Sequence, residues 1–143
     1  MRIIIAALLM FSANAYAGCL SINDMDQRNY CQAKETGSGC NSINNMDLRN
    51  ACLAETNNAS CGSINDMDQR NYCDAKKKGS GCNSINNMDL RNTCLAETSS
   101  DGSCGSINNM DQRNYCIAKK TGSGCNSIND MNLRNACESE TSH

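Results

Sequence analysis

What this chain lacks narrows its possibilities before any motif is read. Its 143 residues include no tryptophan, no proline, one phenylalanine and one histidine, and its mean hydropathy is −0.57. A chain of this length ordinarily folds around one apolar core, and this one carries too little large apolar surface to build it. The single histidine is His143, at the last position, so no imidazole is offered along the chain as a general base or metal ligand. Phosphate-binding glycine loops, nucleophile elbows and CxxC pairs are also missing, which removes the usual signatures of nucleotide chemistry, acyl transfer and zinc binding. The net charge is −2 and lysines cluster only at Lys76-Lys77-Lys78 and Lys119-Lys120, too sparse a basic footprint for nucleic acid.

What is there is a repeat built on cysteine. The stretch CLSINDMDQRNYC from Cys19 to Cys31 recurs from Cys40, Cys61, Cys82, Cys104 and Cys125, at a period of 21 residues stretched once to 22. Six units follow, 19–39, 40–60, 61–81, 82–103, 104–124 and 125–143, forming a single repeat domain over 18–143. They alternate. Odd units carry Gln-Arg-Asn-Tyr-Cys and end near lysine, even units carry Leu-Arg-Asn-[Ala/Thr]-Cys and end near glutamate, so the larger repeating element is a pair of about 42 residues.

Ahead of the array, Arg2 precedes the apolar run IIIAALLMF and the small residues ending Ala15-Tyr16-Ala17, the pattern of a cleaved signal peptide over 1–17. The run is too short to span a bilayer and no second one follows, so an exported chain with no transmembrane segment is expected, periplasmic or extracellular. Export places twelve cysteines in an oxidising compartment, where an even count at fixed spacing reads as a disulfide framework. Tyr16-Ala17-Gly18-Cys19 also resembles a lipobox, which would make Cys19 a lipid anchor. Tyr16 replaces the usual leucine, however, and acylation would orphan one of the repeat's cysteines, so soluble export is the expectation.

Within a unit, positions 24, 45, 66, 87, 109 and 130 are always Asp or Asn, good N-caps for a helix from about Met25 to Glu35, or Met46 to Glu55 in the next unit. Asp26 and Asp47 suit the first turn, and Gly37 and Gly39 mark the end of the odd helices. A helix running on from Ile22 would set Ile22 and Cys31 on opposite faces, so Ser21-Ile22-Asn23 is read as a separate entry turn. Helices of about three turns are marginal alone and must stack. The fold class expected is all-α, a disulfide-stapled, solenoid-like array of six short helical repeats.

The step between cysteines is twelve residues inside every unit, but nine or ten between units, and a linker that tolerates insertion points to bridges inside units. The pairs are Cys19–Cys31, Cys40–Cys52, Cys61–Cys73, Cys82–Cys94, Cys104–Cys116 and Cys125–Cys137. The alternative is a helical hairpin pairing first with fourth and second with third cysteine, an arrangement that resembles the twin CX9C proteins. Bridging across linkers would strand Cys19 and Cys137 and ranks last. Charge separates the first two schemes. Glu55, Glu97, Glu138 and Glu140 are poorly placed at helix C-termini unless a neighbouring lysine end lies beside them, which favours helices stacked in the same direction.

No catalytic residue, cofactor or metal site is assigned. Cysteine-rich helical proteins can bind Cu(I) or Zn through thiolates, and such soft-metal sequestration is the alternative to a structural or protein-binding role, with Met25 and its copies read as packing residues instead. Asp24-Met25-Asp26 shares the opening of a calcium loop but has neither its glycine nor its closing glutamate. Arg28, Arg49, Arg70, Arg91, Arg113 and Arg134 form either an inter-repeat ladder to aspartate or a row facing an acidic ligand. The partner expected is an unidentified protein or envelope component.

Overall fold

In the computed structural model, which describes residues 18–99 and 102–141, the array closes into a ring. The signal peptide expected over 1–17 lies outside the described residues. Six helices follow one another: α1 (Met25–Thr36), α2 (Met46–Thr56), α3 (Met67–Lys78), α4 (Met88–Thr98), α5 (Met110–Thr121) and α6 (Met131–Thr141). Each starts where its cap dictates. Asp24 Oδ1 accepts from the Gln27 amide at 2.8 Å and Asn45 Oδ1 from the Leu48 amide at 3.0 Å, relieving orphan amides of the first turn. Odd helices stop at Gly37, Gly79 and Gly122, whose positive φ lets the amide turn back onto the carbonyl of Ala33, Ala75 or Ala118. Short 3₁₀ turns, Cys40–Ser42 and its counterparts, precede the helices of the second to sixth units.

Every unit is stapled internally. The six bridges join cysteines twelve apart in sequence and bring their Cα atoms to between 5.5 and 5.8 Å, holding each entry turn against its own helix. That distance requires the chain to reverse before the helix, since twelve residues of straight helix would span about 18 Å.

There is no single core. One isoleucine, one disulfide and one alanine of the preceding helix make a small cluster at each junction along the chain, as Ala33 does with Cys40, Ile43 and Cys52. The isoleucines Ile22, Ile43, Ile64, Ile85, Ile107 and Ile128 are all essentially inaccessible. Apolar burial is thus distributed around the ring in six small parcels, which is how so polar a sequence folds.

Junctions are fixed by the same polar contacts each time. Asp26 accepts from the amides of Asn44 and Asn45 at 2.8 and 2.9 Å, and Asn29 donates to the Ser42 carbonyl at 2.8 Å. Asp47, Asp68, Asp89 and Asp111 repeat the first contact, while Asn50, Asn71, Asn92 and Asn114 repeat the second. These bonds hold the carboxylates of Asp26, Asp47, Asp68 and Asp111 below the usual range. Replacing Asp68 with Ala is expected to lower the melting temperature by several degrees, and with Asn by less, because Asn keeps one acceptor; paired thermal melts check the order.

The sixth junction joins the last unit to the first. Asn132, standing where the other units have Asp, accepts from the Asn23 amide at 2.9 Å, and Asn135 donates to the Ser21 carbonyl at 2.7 Å. Ser139 replaces the junction alanine. Fully buried, it donates to the Ala136 carbonyl at 2.8 Å and sits 3.1 Å from Cys31 Sγ. Gly18 lies flush against it, and an added Cβ at Gly18 would stand 2.8 Å from that of Ser139. An open solenoid has two end units; this chain has none.

Two expectations change accordingly. The arginines' hydrogen bonds fall within their own units: Arg28, Arg70 and Arg134 donate through Nε to the carbonyls of Ile22, Ile64 and Ile128 at 2.7–2.8 Å. Arg49 reaches Ile43 at 3.4 Å. Aspartate to backbone amide is the inter-unit ladder, with Arg70 and Arg134 adding positive charge beside Asp47 and Asp111 of the preceding unit. Nor do the methionines pack. Met25, Met46, Met67, Met88, Met110 and Met131 are 56–64 % exposed, because they occupy the first helical position, beyond the reach of the junction clusters.

Candidate functional site

The six helices run in the same direction, since both their N-terminal and C-terminal ends meet in register at each junction. Their inner faces therefore line one axial lumen, and the alternation of odd and even units falls on that wall. From the N-terminal rim inward the wall has three layers. Gln27, Gln69 and Gln112 alternate with Leu48, Leu90 and Leu133; Tyr30, Tyr72 and Tyr115 with Ala51, Thr93 and Ala136; Lys34, Lys76 and Lys119 with Glu55, Glu97 and Glu140. The 42-residue pair of the sequence is thus a threefold pattern around the axis, in which each large tyrosine has small neighbours.

The charged layer is a closed circuit. Lys34 reaches Glu55 and Glu140 at 4.0 and 2.7 Å; Lys76 reaches Glu55 and Glu97 at 3.2 and 3.7 Å; Lys119 reaches Glu97 and Glu140 at 3.4 and 3.3 Å. Each lysine touches two glutamates and each glutamate two lysines, which is why glutamate is tolerated at the helix C-termini. The link from Lys34 to Glu140 crosses the seam, so the circuit is complete only in the closed ring. Above it, Tyr72 and Tyr115 donate to Glu97 and Glu140 at 2.6 and 2.8 Å. Each lysine ammonium also lies 5.5–5.8 Å from the ring centre of the tyrosine on its own helix.

Protonation follows from this packing. Burial and the adjacent glutamates push all three phenols far up, so they remain hydrogen-bond donors. Burial opposes charge on Glu140, but Lys34 and Lys119 outweigh it and hold the carboxyl at about 2; Glu97 is lowered by the same balance between burial and its lysines. Glu140 has a depressed folded pKa, so its contribution to stability is present above its unfolded value of 4.5 and is lost as pH falls through the folded value. Acid titration is therefore expected to lower the melting temperature between roughly pH 5 and 2, with a flat neutral region. The slope should be reduced in a Glu140→Gln variant, as thermal melts across that range would show.

A cavity of about 190 Å³ remains along the axis, walled by tyrosine, alanine and the charged circuit. Its charges are satisfied by one another, and all buried side-chain nitrogen and oxygen atoms among the described residues have hydrogen-bond partners. All twelve cysteines are consumed in bridges, so no thiolate set is available to a soft metal in this state. No described cluster of three His, Cys, Asp or Glu side chains is arranged to hold a metal ion. The Arg row stands outside this lumen wall, tied to the entry turns. The layered lumen itself is missed by a linear reading; its signal is that the positions distinguishing odd from even units, such as 27, 30 and 34, recur at helical spacing. No family model, no curated protein and no solved structure matches the chain.

Proposed function

We propose that the chain is an exported, non-enzymatic ring that serves as a rigid structural or protein-binding module in an oxidising compartment. Residues 1–17 act as its signal peptide, and the mature ring begins at or near Gly18. The observation that carries this reading is that the interior is closed to chemistry by its own pairing, cysteine with cysteine and lysine with glutamate, while one rim outside repeats the exposed Ser and Asn of the entry turn and a Met at the helix start six times. A partner then meets a stiff, multivalent display, and stiffness lowers the entropic cost of docking. Six bridges favour the periplasm or the extracellular space, and no described helix is long and apolar enough to cross a membrane. Cys19 is bonded to Cys31, which favours soluble export over a lipid anchor. The partner is an envelope or extracellular protein.

The test is to isolate the protein from its native compartment, measure its mass under non-reducing conditions, and use it as bait beside its reduced and alkylated form. A mature chain twelve hydrogens lighter than its reduced form, retaining a partner that the alkylated chain does not, supports the reading. Alkylatable cysteines with bound metal would overturn it in favour of soft-metal sequestration.

A further inference from the structure

The methionines carry chemistry that the fold does not use. Of eight in the chain, Met1 and Met10 lie in the leader and the other six occupy one equivalent position each, at the start of α1 to α6. All six are more than half exposed, while the isoleucine of every entry turn is buried. A large apolar side chain left in water contributes little to folding, so packing does not explain its presence six times on one rim. Several neighbouring positions vary between units: 24 is Asp or Asn, 27 alternates between Gln and Leu, 30 between Tyr and Ala or Thr. Leucine would offer the same apolar bulk. What methionine adds is the sulfur lone pair.

The rest of the ring is poorly oxidisable. Its cysteines are already disulfides and are buried, tryptophan is absent, and Tyr72 and Tyr115 have their hydroxyls committed to Glu97 and Glu140. We propose that the six rim methionines are sites of reversible oxidative modification, taking one oxygen each from a peroxide-class oxidant while the ring stays folded. In each step the thioether lone pair attacks one peroxide oxygen and the O–O bond breaks. The sulfur gives up two electrons and becomes the sulfoxide, and the peroxide is reduced to water. Sulfoxide formation in a core is disruptive because a polar group enters apolar packing; here each sulfur lies outside the junction clusters, so the new S–O dipole faces water. The consequence is a rim switched from six apolar thioethers to six polar sulfoxides on an unchanged frame.

The test exposes the exported, fully bridged protein to excess hydrogen peroxide and follows it by peptide mapping, circular dichroism and thermal melting. Each of the six mapped peptides is expected to gain one oxygen, about 16 Da, at a rate within about threefold of a free methionine derivative, with helicity kept and the melting temperature moved by no more than a few degrees. Treatment with the two stereospecific methionine sulfoxide reductases should then remove the oxygens. A variant with all six changed to leucine should fold alike and gain no oxygen. Any of the six oxidising more than about tenfold slower than the free derivative, sulfoxides that the reductases cannot remove, oxygen uptake by the leucine variant, or helix loss in step with oxidation would overturn the proposal.

Discussion

Reducing the bridges at neutral pH is expected to abolish the fold altogether, with loss of the helical circular dichroism signal at 25 °C. Each bridge closes a loop of about a dozen residues, worth about 3 kcal/mol on the chain-entropy account. The six loops follow one another without overlapping, so their effects are close to additive. Their sum exceeds the 5–15 kcal/mol or so that separates a typical folded domain from its unfolded chain. Nothing else takes over. Each junction contributes one isoleucine of about 2–3 kcal/mol and partly buried ion pairs of about 1 kcal/mol. Circular dichroism and thermal scanning of the reduced, alkylated chain check this. A reduced chain that keeps its helices and melts cooperatively would mean that the isoleucine junctions suffice without staples.

Deleting the sixth unit, residues 125–143, is expected to cost far more than deleting an end repeat of an open array. A solenoid that loses its last unit loses one interface and keeps the rest. Here two interfaces go, one to the fifth unit and one to the first, together with the Cys125–Cys137 staple. The remainder cannot close, because a five-unit ring would set the odd fifth unit beside the odd first. Lys119 would then face Lys34 with no Glu140 between them. At about 2–3 kcal/mol per interface the loss is about 5 kcal/mol, a fall in melting temperature of the order of 15 °C for a chain of this size. A truncated chain melting within a few degrees of the intact one would contradict closure.

Much of the fold is legible in the sequence because it is local. The caps at Asp24 and Asn45, the odd-helix glycines and the constant twelve-residue cysteine step each act within one unit, so a single unit read alone specifies the stapled helix. Same-way stacking was also within reach, through glutamates that need lysine neighbours. Closure was not, because it depends on the small rotation from one unit to the next, and no residue encodes that angle separately. In retrospect the sixth unit carries the trace of it: Asn132 and Ser139 depart from the pattern at two of the positions that meet the first unit. The roles of the arginines and methionines escaped for a different reason. Asp26 and Arg28, two apart, cannot face each other on one helix, which suggests an Arg-to-Asp ladder between units, yet the aspartate is taken by the next unit's amides. Methionine reads as apolar filler until its place at the helix start shows it outside every cluster.

Ring closure is tested most directly by zero-length carbodiimide crosslinking of the dilute monomer, followed by peptide mapping. Lys76 and Glu55, 3.2 Å apart, and Lys119 and Glu97, 3.4 Å apart, join neighbouring units in either a ring or an open array and serve as internal controls. Lys34 and Glu140 are separated by 106 residues and lie 2.7 Å apart across the seam. A closed ring gives the Lys34–Glu140 crosslink in the monomer at a yield comparable to the controls; an open array gives both controls and no Lys34–Glu140 product.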